Sequence, residues 1–320
     1  MSGELDQYWS RQIALEYGVE PPRVVLADGD DERIRSACIQ LLDAGVTPVL
    51  LGESRGRLPA EVGYLSAQDA PPEQVHKTLV DVAERRDWDE ARFEACVHDP
   101  LYLAAAMVSS GEADAAVGGA SRPSGEVIRS ALHVIGLSES TPILSSSFIM
   151  ALADGRSVAF ADCAVVPVPD SAQLADIAVA TSQTFQTLVG QTPAVAMLSF
   201  STHGSASHDD VERVRQATEF VRQRHPALDV DGELQFDAAF VESVGAQKCP
   251  ESRVAGRANV FVFPNLAAGN IGYKIAQRMG GAQAYGPILQ GLTAPMNDLS
   301  RGCSTADVVS VSLISALQAA

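Results

Sequence analysis

Short, almost wholly apolar runs alternate with longer stretches of helical periodicity from one end of this chain to the other, and few folds accept that alternation. Arg23-Val24-Val25-Leu26-Ala27 reads as a strand and Asp28-Gly29-Asp30 as the turn after it. From Asp31 onward, Ile34, Cys38, Leu41 and Leu42 fall on one helical face, and Pro48-Val49-Leu50-Leu51 gives a second strand, closed by Gly52. That is a βαβ unit, which implies a parallel sheet. Further strands are expected at 113–117, 157–161, 194–199 and 259–263, each nearly all apolar, as strands buried on both faces require. Helices are expected over 125–135, 172–188, 209–224, 266–279 and 307–317. The fold class is α/β. A length of 320 residues suggests two domains on a prior of roughly 150 residues each. The proline-rich stretch Ala70-Pro71-Pro72 reads as a surface loop rather than a linker.

Charge narrows the ligands. The 40 acidic and 23 basic side chains leave a formal charge of −17, a surface that repels nucleic acid and anionic lipid. A phosphorylated ligand would have to meet arginines gathered locally, so the arginines carry more information than the carboxylates. The five cysteines, Cys38, Cys96, Cys163, Cys249 and Cys303, form no CxxC pair and suit reduced thiols. The opening residues are charged and amphipathic, without the apolar core of a signal peptide. With no apolar run near the ~18 residues of a membrane span, the expected location is the cytoplasm.

Polar residues of interest sit just past strand ends, where open α/β sheets bind ligands. Leu198-Ser199-Phe200-Ser201-Thr202-His203-Gly204-Ser205-Ala206-Ser207 is hydroxyl-rich, and its small residues allow close approach of a ligand to backbone and to the next helix start. The same letters also suit an ordinary serine-rich turn with a helix cap. Pro264-Asn265 leads into Leu266-Ala267-Ala268-Gly269-Asn270-Ile271-Gly272-Tyr273-Lys274, whose glycines cost roughly 1 kcal/mol each in a helix interior. Either a bound ligand or close helix–strand packing would account for them. In Asn297-Asp298-Leu299-Ser300-Arg301-Gly302-Cys303-Ser304-Thr305-Ala306-Asp307, Arg301 offers a planar fork for phosphate, and Ser300 can donate to a carbonyl or phosphoryl oxygen. Ser304-x-x-Asp307 is equally a capping box.

Other chemistries lack their residues. There is no Walker loop, no GxGxxG fingerprint and no GxSxG elbow. The six histidines show no triad spacing, and no HExxH or Cys/His cluster supports a metal site. Cys303 reads as a small packed thiol.

Asn297-Asp298-Leu299-Ser300-Arg301-Gly302 resembles the closing signature of the phosphate acetyltransferases (phosphotransacetylases). LSFSTHGSA, AGNIGYKIAQRMGG at 268–281 and GPILQGL at 286–292 are similar to that family in the same order, as are Asp28 to Arg33 and Gly111-Glu112-Ala113-Asp114. The similarity runs from about residue 20 to the end and is weakest over 54–98. It implies two α/β domains with mainly parallel sheets facing each other across an active-site cleft. The first would comprise 1–139 with 285–320, and the second, inserted, 140–284. A homodimer is implied.

The resemblance also implies a reaction, reversible acetyl transfer between acetyl-CoA and inorganic phosphate through acetyl phosphate and CoA. Coenzyme A would be a substrate, with no tightly bound cofactor and no metal. Ser300, Arg301 and Asp307 are implied as catalytic: Arg301 on the phosphate, Ser300 on the acetyl carbonyl oxygen, Asp307 as base toward the CoA thiol. Arg129 in Val127-Ile128-Arg129-Ser130-Ala131-Leu132 corresponds to a ligand-binding arginine, and a second falls on Arg86 or its neighbour Arg85. Ser199, Ser201, Thr202, Gly204, Ser205, Asn270 and Lys274 are the expected contacts to phosphate or CoA. His203 stands where a lysine is frequent, and Arg122-Pro123-Ser124-Gly125 replaces a threonine-rich loop. A sister phosphate butyryltransferase, a hydroxy-acid dehydrogenase of related fold and a non-catalytic acyl-CoA sensor are the alternatives. The dehydrogenase would need a metal-binding aspartate set that the sequence lacks, and the sensor would not need Ser300, Arg301 and Asp307 together.

Overall fold

The computed structural model describes residues 2–139 and 141–320. It divides into two compact units, Met1–Ser138 with Leu292–Ala320, and Glu139–Gly291. In chain order the first unit begins with α1 (Ser2–Tyr17), β1 (Arg23–Leu26), α2 (Glu32–Asp43), β2 (Thr47–Gly52) and β3 (Gly63–Ser66). It continues with α3 (Glu73–Arg85), α4 (Glu90–Val97), α5 (Pro100–Ser109), β4 (Ala115–Gly118) and α6 (Ser124–Val134). The second unit holds β5 (Ser145–Ala151), β6 (Ser157–Ala161), α7 (Ser171–Val189), β7 (Ala194–Leu198), α8 (Asp209–Arg224) and β8 (Asp229–Leu234). After α9 (Phe236–Phe240), α10 (Glu242–Lys248), β9 (Val260–Val262), α11 (Leu266–Arg278) and β10 (Gln283–Gln290), the chain returns to the first unit as β11 (Met296–Asp298) and α12 (Thr305–Ala319).

The first sheet runs β11-β4-β1-β2-β3, and every pairing in it is parallel. Its strands are short and apolar, with Val24, Val25 and Leu26 fully buried, which is what coverage of both faces by helices demands. On one face α12 buries Val308 to Leu317 almost without interruption. The Tyr17 hydroxyl donates to the Ala316 carbonyl at 2.9 Å, and Ser310 to Asp6 at 2.7 Å, so the amphipathic start of the chain is clasped to its end. Trp9 and Ile13, at most 1 % exposed, are the apolar side of that contact.

The second sheet runs β10-β5-β6-β9-β7-β8. The β6-β9-β7-β8 part is parallel, while β5 pairs antiparallel with both β10 and β6. Polar residues reach its core because they are paired. The Gln290 amide donates to Ser147 Oγ (3.0 Å) and Thr184 Oγ1 (2.7 Å), and its oxygen accepts from Ser145 and Thr181. This pairing of β10 with β5 places 285–291 in the second unit, whereas the sequence reading assigned them to the first. Gln283–Gln290 needs β5 to complete its backbone hydrogen bonds.

Candidate functional site

In the first unit, β11, β4 and β1 are adjacent parallel strands, so the loops after their carboxyl ends lie side by side. The chain turns one way from β1 to β2 and the other way to β4, which makes this the switch point of the sheet. The loop after β4 presents the N–H groups of Gly119 (2.8 Å), Ala120 (3.1 Å) and Ser121 (3.1 Å) to one carboxylate, that of Asp28 at the end of β1. The Ser121 hydroxyl donates to it as well. Three converging amides form a nest for an anion, and here the anion is the protein's own. Gly119 has φ +101°, and a Cβ there would lie 2.3 Å from Asp298 Oδ1, so a side chain is excluded twice over.

Asp298 closes the other side of that glycine, at the end of β11. It is 3 % exposed, and its Oδ1 lacks a hydrogen-bond partner among the described residues. Burial pushes its carboxyl up to about 6; a hydrogen bond from Ser124 opposes this, and the Asp28 charge reinforces it. Two carboxyls thus flank the Gly118-Gly119 turn. One is fully bonded, and the other is driven toward its neutral form.

Ser300, Arg301 and Gly302 follow at once and are exposed. The Ser300 hydroxyl accepts from Gly302 N at 3.2 Å, and the Ser300 carbonyl from Cys303 N at 2.8 Å, a tight turn that projects the Arg301 side chain outward. Neither Arg301 nor Arg129 has a side-chain partner among the described residues. The turn delivers the chain into α12 through a complete capping box. Ser304 Oγ accepts from Asp307 N (3.2 Å), and Asp307 Oδ2 accepts from Ser304 N (2.8 Å) and Ser304 Oγ (2.9 Å). The cap uses Oδ2 and leaves Asp307 Oδ1 open. Cys303 is 7 % exposed, and burial raises its thiol above the usual range, which suppresses the thiolate a nucleophile needs.

Arg33, near the start of α2, ties these loops together. Its Nε and Nη2 hold both oxygens of Asp31 at 2.9 and 2.6 Å, its Nη1 donates to the carbonyls of Arg301 (2.9 Å) and Cys303 (2.8 Å), and Nη2 also donates to that of Ala120 (2.8 Å). The Arg33 hydrogen bond in turn lowers the Asp31 carboxyl below its ordinary range.

A second group of cations surrounds the carboxyl end of α6. Arg86 donates to the carbonyls of His133 (3.0 Å) and Leu132 (2.8 Å), so it caps that helix, while Arg85 points only to Asp81 of its own helix. Arg129 lies one turn earlier. His133 is held neutral: burial first, then the charges of Arg86, Arg92 and Arg129 push its pKa down.

The remaining expected contacts lie in the second unit, after the adjacent parallel strands β7 and β9. Ser201 is fully buried, its hydroxyl donating to Glu233 Oε1 (2.8 Å) and accepting from Ala206 N (3.0 Å). Gly204 N donates to the same Glu233 oxygen at 2.7 Å. Thr202, 7 % exposed, accepts from Gln235 N at 2.9 Å. These three were expected to meet ligand, but their polar groups hold the loop itself. Ser205 is exposed and Ser199 half-buried. The α8 start was expected to favour an anion. Instead, Asp209, Asp210 and Glu212 occupy its first turn and His208 caps it, so negative charge already fills that end.

On α11, Asn270 donates to the Cys163 carbonyl (2.9 Å) and accepts from Lys274 at 2.5 Å. Its glycines are explained by packing. A Cβ at Gly269 would meet the Asp162 carbonyl at 2.2 Å, and one at Gly272 the Phe263 ring at 3.0 Å.

Sequence reasoning missed the structural carboxylates Asp28, Asp298, Asp231 and Glu233, and the role of Arg33. The signal for Asp231 and Glu233 was there, since acidic residues in a strand bracketed by apolar ones must be paired. Asp231 accepts from Arg222 (2.8 Å), lies 3.2 Å from His203 Nε2 and accepts from the Ser252 hydroxyl.

Among the described residues there is no cluster able to hold a metal ion, and no helix is long and apolar enough to cross a membrane. All five cysteines are free and buried.

Known proteins share this architecture and much of this sequence. The model of the phosphate acetyl/butaryl transferase family matches residues 10–316. A phosphate acetyltransferase of Paracoccus denitrificans is 42 % identical over 305 residues, 92 % of this chain and 94 % of that protein. One of Bacillus subtilis is 42 % identical over 307 residues, 93 % of this chain and 94 % of its own. Among solved structures, a phosphotransacetylase from Streptococcus pyogenes superposes with TM-score 0.91 at 37 % identity, covering 99 % of this chain and 98 % of that one. A match over nearly the whole length shows that this chain belongs to the phosphate acetyl/butaryl transferase family.

Proposed function

We propose that the protein is a phosphate acetyltransferase that moves an acetyl group between coenzyme A and inorganic phosphate. The observation that carries the reading is the Arg301 guanidinium. It stands exposed and unpaired among the described residues of a chain in which 40 carboxylates outnumber 23 cations. Its planar fork suits a phosphate oxygen pair. Ser300, whose oxygen already accepts from Gly302 N, keeps its proton free to donate to the acetyl carbonyl oxygen. Negative charge grows on that oxygen as the tetrahedral intermediate forms. Asp307 Oδ1, left open by the cap, takes the thiol proton of CoA. The sulfur bonds to the acetyl carbon, the carbon–oxygen bond to phosphate breaks, and phosphate leaves on Arg301.

Arg129 and Arg86 are proposed to bind the phosphates of CoA, and Ser199, Ser205, Asn270 and Lys274 are proposed as polar contacts to phosphate or CoA. Ser201, Thr202 and Gly204 shape the serine loop. The buried, raised thiol of Cys303 argues for direct transfer in a ternary complex rather than through an acyl-enzyme. The reading includes a homodimer in the cytoplasm, with no tightly bound cofactor. Formation of acetyl-CoA from acetyl phosphate and CoA by the purified protein tests it, with butyryl phosphate as the parallel substrate. Absence of turnover in folded protein sinks the reading, and faster turnover of butyryl phosphate reassigns the acyl group.

A further inference from the structure

We infer that Arg33 is a positioning residue for this reaction, presetting the backbone from which Ser300, Arg301 and Asp307 act; this rests on the function proposed above. A guanidinium has five N–H donors in a rigid fork. In Arg33 all five are used: Nε on Asp31 Oδ1, Nη1 on the carbonyls of Arg301 and Cys303, Nη2 on Asp31 Oδ2 and on the carbonyl of Ala120. Those acceptors belong to the loops after β1, β4 and β11, whose strands are neighbours in the sheet.

The fork therefore does more than join elements. By holding the carbonyls of Arg301 and Cys303, it fixes both ends of the peptide stretch that aims the Arg301 side chain and leads into the Ser304–Asp307 cap. Asp31 orients it from behind, and that carboxylate is itself anchored as the N-cap of α2 by Arg33 N at 2.9 Å. The side chain of Arg33 is 31 % exposed, against full use of its donors, so its charge is committed to the frame rather than offered to ligand. Arg301 shows the opposite arrangement, with an anchored backbone and a free side chain. A lysine could pair with Asp31, but a single ammonium has three donors and no fork, and cannot span three carbonyls.

Arg33→Lys is the first test, read in kcat, in KM for CoA and in melting temperature. Misplacing a reacting group by about 1 Å can cost roughly 10²-fold in rate. The expected result is a kcat lowered about 10- to 100-fold with KM for CoA within about twofold and melting little changed. In an Arg301→Ala background the same replacement should lower kcat by a clearly smaller factor than it does in the wild type, because one of the three groups it positions is gone. Should Arg33→Lys fail to fold, Asp31→Asn decides. Asparagine keeps the cap of α2 but removes the charge that orients the fork, and kcat should fall several-fold.

Wild-type kcat in folded Arg33→Lys overturns the inference, as does wild-type kcat in Asp31→Asn, or losses in Arg33→Lys and Arg301→Ala that simply multiply. Failure of the function itself looks different, since the folded wild-type protein would then form no acetyl-CoA from acetyl phosphate and CoA.

Discussion

Two loops of this molecule look alike in sequence and do opposite things with their polar groups. Around Ser300 the backbone is fastened, through Arg33, the Gly118 carbonyl and the α12 cap, while the Arg301 side chain has no partner among the described residues. Around Ser201 the side chains are fastened, by Glu233 and Gln235, and little polar capacity remains on the inner side of the loop. Burial separates them: Ser201 is fully buried and Ser300 exposed. A functional group is recognised less by residue type than by what the fold leaves unpaired.

The largest expected effect tests the first loop at its cap. In Asp307→Asn the amide can keep the helix capped, so melting should shift little, whereas loss of a general base lowers kcat by about 10²–10⁴. A folded variant within a few-fold of wild-type kcat would show that Asp307 belongs with Ser201, as a purely structural group. Arg301→Ala should follow, with kcat/KM for acetyl phosphate falling about 10²–10³ at unchanged melting temperature. Arg301→Lys should recover part of that. Loss of stability in Arg301→Ala would mean that the side chain is as engaged as those of the serine loop.

The frame beneath the first loop has its own pH signature. Asp298, 3 % exposed, has its carboxyl pushed up to about 6 from an ordinary 3.8. A raised carboxyl costs nothing while it is protonated in both states. The penalty sets in as pH rises past 3.8, where only the unfolded chain ionises, and is complete above about 6. At 1.36 kcal/mol per unit, it amounts to about 3 kcal/mol. Asp298→Asn removes the titration. Its unfolding free energy minus that of wild type should therefore climb between pH 4 and 6 and stay level above. A flat difference across that window would show that Asp298 stays ionised beside Gly119.

How much of this was legible follows from the same contrast. Periodicity locates elements whose burial is apolar: α8 is observed at Asp209–Arg224 where 209–224 was expected, and α11 ends one residue early. It fails where burial is polar. Ser145–Ala151 and Asp229–Leu234 are strands carrying serines and acids that partners on other elements satisfy, Gln290 and Asp162 for the first, Arg222 and the serine loop for the second. Gln283–Gln290 was hidden by its Gly286-Pro287 step, where the register with β5 shifts. Likewise the Ser300-Arg301-Gly302 turn was readable as a motif, but the clamp from Arg33 spans 268 residues to Arg301 and leaves no local pattern.

The smallest expected effect falls on the second loop. Ser201 Oγ donates to Glu233 Oε1 at 2.8 Å and accepts from Ala206 N at 3.0 Å, with no exposed surface. Ser201→Ala leaves the Ala206 amide without its partner and removes one of the donors to a buried carboxylate, while Gly204 N still holds that carboxylate at 2.7 Å. An unsatisfied buried group costs about 1–3 kcal/mol, and the surviving Gly204 bond argues for the lower end. The variant should thus lower the urea midpoint modestly and leave kcat and KM for CoA within about twofold. Ser205→Ala is the counterpart, since Ser205 is exposed, with its Oγ 3.3 Å from that of Ser201 and accepting from Thr202 N at 3.0 Å. If it contacts CoA, KM for CoA should rise several-fold, about 1 kcal/mol for one lost hydrogen bond. A rise in KM for Ser201→Ala without loss of stability would reverse the comparison, because the inward hydroxyl would then be the one that meets ligand.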